Sequence, residues 1–69
     1  MTSVQKELQK RKSEIIKEVE LLFKANMKIT DWDIPEADDK EAAKELIKIL
    51  EEAVEKIKKD IQSGKYDNY

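Results

Sequence analysis

The sequence predicts an all-α protein, an antiparallel two-helix hairpin that dimerises into a four-helix bundle. Three observations carry that expectation. Two long segments repeat their apolar residues at helical spacing, no glycine or proline interrupts either segment, and the chain is too small to close a core around two helices. It has 69 residues, with one Gly at position 64 and one Pro at position 35. That length suits a single helical-hairpin domain over residues 1–69.

The first helix is expected over about residues 3–26. Val4, Leu8, Ile15, Val19 and Leu22 lie within about 60° of one another at 100° per residue, and Ile16 and Phe23 widen the stripe. Lys6, Lys10, Lys17 and Lys24 gather on the opposite face. Glu7–Arg11 and Glu20–Lys24 have the spacing of helix-bracing ion pairs. Thr2 or Ser3 can cap the start, and Asn26 offers a stop.

The second helix is expected over about residues 38–63. Ala43, Leu46, Ile47, Leu50, Ala53, Val54, Ile57 and Ile61 form a stripe about 120° wide. Glu52–Lys56 and Glu55–Lys59 brace its outer face. Asp38 with Glu41 has the spacing of a capping box, as does Asp33 with Glu36 a turn earlier. Pro35 suits a first helical turn. Lys58 and Lys59 complement the dipole at the far end, where Gly64 can take the left-handed position.

Both stripes are wider than a two-stranded seam requires, and a two-helix core without disulfide or metal is marginal. Self-association under two-fold symmetry is the simplest remedy. Leu8, Ile15, Val19, Leu22, Leu46, Leu50 and Ile57 are the residues expected to carry it. Leu21 and Ile49 lie off the stripes.

Residues 27–37 are expected to form the connecting loop and 64–69 a short tail. The loop is unusual for its apolar residues, Met27, Ile29, Trp32 and Ile34. They can fold over the end of the hairpin as a lid, which is the expected reading, or stand out as an anchor for a partner. Ile29, Trp32 and Ile34, with Asp31 and Asp33, are therefore the candidate partner contacts. In the tail, Tyr66 and Tyr69 could serve a lesser docking role.

Charge is unevenly spread along the chain. Residues 1–28 hold seven basic and four acidic side chains, residues 31–41 hold one and six, and residues 42–69 hold six of each. Asp31 and Asp33 match the opening of a calcium loop. The match then fails, because Pro35, Glu36 and Ala42 stand where a ligand, the turn glycine and the bidentate glutamate belong. No metal or other cofactor is expected.

Composition argues against several function classes. With no Cys and no His, the chain lacks a thiolate or imidazole for catalysis or metal binding. No glycine-rich phosphate loop or nucleophile elbow occurs, so an enzyme is not expected. No apolar run exceeds three residues, so no membrane span is expected either. The absence of cysteine fits a cytoplasmic setting. The remaining expectation is a small interaction or regulatory protein that docks on an unknown protein partner and forms a homodimer. The alternative is a nucleic-acid-associated accessory protein using Lys6, Lys10, Arg11 and Lys17.

Overall fold

In the computed structural model, which describes residues 1–34, 36 and 38–69, the chain is all-helical. Helix α1 runs Ser3–Asp33 and helix α2 runs Asp39–Gln62. Thr2 caps α1 in a reciprocal box: its hydroxyl accepts from the Gln5 N–H at 3.1 Å, and the Gln5 side chain accepts from the Thr2 N–H at 2.8 Å. Asp38 caps α2 by accepting from the Lys40 N–H at 3.0 Å. That bond goes to the second helical residue, and Asp39 and Glu41 then place negative charge in the first turn.

The first helix is longer than its sequence suggested, and the expected loop is shortened accordingly. Asn26 does not stop it. Its side-chain amide donates to the Leu22 carbonyl at 2.9 Å, and the Thr30 hydroxyl donates to the Asn26 carbonyl at 2.9 Å. Polar side chains that could compete for the backbone are thus tied back along the helix itself. Met27 to Asp33 are helical, so Asp33 is the last residue of α1, and among the described residues it makes no capping bond to Glu36. Ile34 leaves the helix at φ −132°, extended as suits a residue that precedes proline. The expectation that Pro35 opens a helical turn lies outside the described residues.

The far end of α2 is closed by a Schellman arrangement. The Gly64 N–H donates to the Ile61 carbonyl at 3.1 Å and the Lys65 N–H to the Asp60 carbonyl at 3.0 Å. Gly64 takes φ +89°, the left-handed conformation its position in the sequence suggested. The Asp60 carboxylate reinforces the turn by pairing with Lys56 at 3.0 Å and Lys65 at 3.5 Å. These cations, Lys56 foremost, hold its carboxyl below the usual carboxylate range. Beyond it the Tyr66 and Tyr69 rings meet edge to face at 5.4 Å.

The expected ion pairs are redistributed along the helix surfaces. Arg11 pairs with Glu14, Lys56 with Asp60 and Lys58 with Glu55, replacing the anticipated Glu7–Arg11, Glu52–Lys56 and Glu55–Lys59 spacings. Exposed pairs of this kind exchange readily and contribute little each.

The helices meet over the half of the hairpin nearest the connection. Phe23, Met27 and Thr30 of α1 are half-buried, as are Ala42, Ala43, Leu46 and Leu50 of α2. Farther out the helices part. Ile16 and Ile57 lie on the same faces as these contacts, yet they remain 48% and 46% exposed. The body measures 48 × 28 × 17 Å, whereas a tightly paired hairpin would be about 20 Å wide. Its radius of gyration is 15.9 Å, against about 11 Å for a compact domain of this length. The result is a wedge, narrow at the connection and open at the chain ends. Among the described residues none is buried.

Gly64→Ala should lower stability by about 1 kcal/mol, the cost of a Cβ in the left-handed region. The added Cβ would also lie 3.1 Å from the Asp67 carboxylate. Chemical denaturation followed by circular dichroism measures the loss.

Candidate functional site

Three features stand out on this wedge: two uncovered apolar stripes, an exposed tryptophan beside the connection, and a separation of charge along the long axis. Each follows from how the helices are turned.

On α1 the half-buried Phe23, Met27 and Thr30 define the direction facing α2. The stripe of Val4, Leu8, Ile15, Val19 and Leu22 is centred about 80° round from that direction at 100° per residue. It therefore points largely past α2, and all five residues are exposed. On α2, Leu46 and Leu50 turn toward α1, while Ile47, Val54, Ile57 and Ile61 stay exposed. Of the residues expected to support self-association, Leu46 and Leu50 are thus partly used within the hairpin. Leu8, Ile15, Val19, Leu22 and Ile57 are left open. A shallow apolar groove lined by Val19, Phe23, Ile47 and Leu50 marks where the two stripes approach.

Trp32 is 82% exposed. The lid reading is therefore overturned, and the reason is the extension of α1. A helical residue 32 falls on the outer side of α1, away from α2, where it cannot fold across the hairpin. The same extension aligns Trp32 with Leu21, Ala25 and Ile29 in a second apolar strip, at i, i+4, i+8 and i+11. Leu21 stood off the main stripe in the sequence, and only a helix continuing to Asp33 gives it neighbours. Ile34, also exposed, lies on the side of α1 nearer α2, where it lines a shallow depression with Thr30 and Ala42. The candidate contacts Ile29, Trp32 and Ile34 thus share one end of the hairpin without forming one surface.

Asp31 lies in the last turn of α1, where no basic residue offsets the helix dipole. A hydrogen bond shared with Asp39, and the charge of that neighbour, hold the Asp31 carboxyl above its ordinary value. No group of described residues has the make-up of a metal site. Asp33 is exposed and adds to the negative charge of this end.

The hairpin sorts charge that the sequence disperses. Residues 1–17 and 53–69 come together at the open end, with nine basic and five acidic side chains, a net of +4. Residues 18–52 form the other half, with five basic and eleven acidic, a net of −6. Lys6, Lys10 and Lys17 are exposed within the positive half, and Arg11 is engaged by Glu14 at 3.9 Å. No described helix is long and apolar enough to cross a membrane.

Compared with protein-family models, with curated proteins and with solved structures, the chain matches none.

Two outcomes follow for the connection end. Trp32→Ala should change stability by no more than about 0.5 kcal/mol, as for an exposed side chain. A packed lid would cost about 3–5 kcal/mol, and thermal or urea melts separate the two. Asp31→Asn should melt higher than the parent at pH 7. The raised carboxyl favours folding in its protonated form. Its contribution is fully present below the ordinary value of 3.8 and lost as pH rises through the folded value. The advantage of the Asn variant should therefore disappear as the pH is lowered below about 4.

Proposed function

We propose that this chain is a small, non-catalytic interaction protein that self-associates through its apolar stripes into a four-helix bundle and docks on another protein through its Trp32 end. The observation that carries the reading is the open core: both helices are strongly patterned, yet none of the described residues is buried. Each half-exposed aliphatic side chain on the stripes would gain about 1 kcal/mol on being covered. Several together are enough to offset the cost of bringing two chains together, about 4–15 kcal/mol.

A homodimer satisfies both stripes at once, because a two-fold interface presents the same surface from each copy. It leaves the Leu21–Ala25–Ile29–Trp32 strip on the outer side of α1. An exposed tryptophan backed by aliphatic neighbours has the composition of an interface anchor. The acidic residues around it, Asp31 and Asp33 among them, suit a partner whose pocket is rimmed by basic side chains. Shallow grooves and a lack of His and Cys give little basis for catalysis. A cysteine-free, charge-rich chain fits a cytoplasmic setting.

Sedimentation equilibrium from micromolar to near-millimolar concentration should show the mass rising from 8.1 kDa to twice that value, and no further. A mass that stays at one chain throughout would rule out self-association.

A further inference from the structure

Resting on that self-association, we propose that the two copies pair antiparallel, with the acidic half of each hairpin alongside the basic half of the other. Two independent features of the wedge lead to this orientation.

The first is charge. Each hairpin carries a net of −6 in the half near the connection and +4 in the half at the chain ends. Parallel pairing sets −6 beside −6 and +4 beside +4. Antiparallel pairing sets opposite signs together along the whole contact, bringing Lys58 of one copy, which borders the apolar residues Ile47, Leu50 and Val54, toward Glu51 of the other. Screening limits these effects to about 8 Å at physiological ionic strength, so groups set side by side across the interface are the ones that matter.

The second is shape. The hairpin is narrow where Phe23 and Met27 meet Ala42 and Ala43, and wide where Ile16 and Ile57 are left exposed. Two wedges laid the same way round leave a gap at their wide ends. Laid in opposite senses, each wide end sits beside a narrow one and the cross-section stays even. A body 48 Å long and 28 Å wide has a face large enough for the roughly 800 Å² per partner of a stable dimer. End-to-end stacking also brings opposite charges together, but it leaves both stripes in water. The closed pair covers them. In that pair the two Trp32 ends lie at opposite extremes of the bundle, which makes the dimer bivalent for its partner.

The chain has no cysteine, so Ser3→Cys gives a unique site for a nitroxide label at the open end. Pulsed dipolar spectroscopy on the full chain, at concentrations where sedimentation gives a dimer, should return a separation of about 40 Å, set by helices about 46 Å long. A separation below about 25 Å, the reach of adjacent helices and their labels, would overturn the antiparallel arrangement while leaving self-association intact. A mass that never exceeds one chain would overturn both, and growth beyond two chains would overturn the closed pair. Charge exchange reads the same orientation by sign. Glu51→Lys should weaken the dimer several-fold at low salt, as should Lys58→Glu. Combining the two changes should restore it. In a parallel pair Glu51 meets Glu51 and Lys58 meets Lys58, so neither single change would remove the like-charge contact, and combining them would restore nothing. Helicity measured on every variant separates these effects from loss of folding.

Discussion

The contact on which the rest of this structure depends is the short apolar junction between Phe23, Met27 and Thr30 on α1 and Ala42, Ala43, Leu46 and Leu50 on α2. Two adjacent alanines let α1 approach α2 closely just beyond the connection, and Leu50 lines a shallow groove with Phe23 a little farther out. Nothing comparable holds the outer halves of the helices together. The junction therefore fixes a hairpin but leaves it open. Every later feature, from the uncovered stripes to the separation of charge along the axis, follows from two helices joined firmly at one end only.

The ends of the helices are specified more tightly than their middles. Thr2 with Gln5, Asp38 with Lys40, and the turn at Gly64 satisfy backbone groups that would otherwise face water. Asp60 extends that order into the last residues, since one carboxylate engages Lys56 and Lys65 while its own carbonyl accepts the Lys65 N–H. The connection end is organised in the opposite electrostatic sense. Asp31 and Asp39 bring two carboxylates together where α1 already ends in negative partial charge. That end has poor electrostatics for stability and favourable electrostatics for meeting a basic surface.

Both helices were legible because the 3.6-residue period is long and uninterrupted in each, and the caps at Asp38 and Gly64 were legible because those residue types have few other uses at such positions. The stretch from Met27 to Asp33 was not. Ile, Thr, Trp and Asp are middling or poor helix formers, and aspartates at a helix C-terminus oppose the dipole. Local preference therefore read as a loop. The helix continues because Asn26 and Thr30 tie their side chains back to the backbone and because Met27 and Thr30 gain packing against α2. Misplacing that boundary also hid the strip that joins Leu21 to Trp32, and it made a lid seem natural for a side chain that in fact points outward.

By itself, the sequence determined the helical class, the two-helix count, the caps and the presence of more apolar surface than two helices can hide. Those properties depend on residue spacing along the chain, which periodicity reports directly. The tertiary structure decided which way each stripe faces, how far the helices separate, that Trp32 stands in solvent, and that positive charge collects at one end of the body and negative charge at the other. These depend on the angle at which α2 meets α1. A few residues beside the connection set that angle, through contacts between positions far apart in the chain that no local pattern encodes.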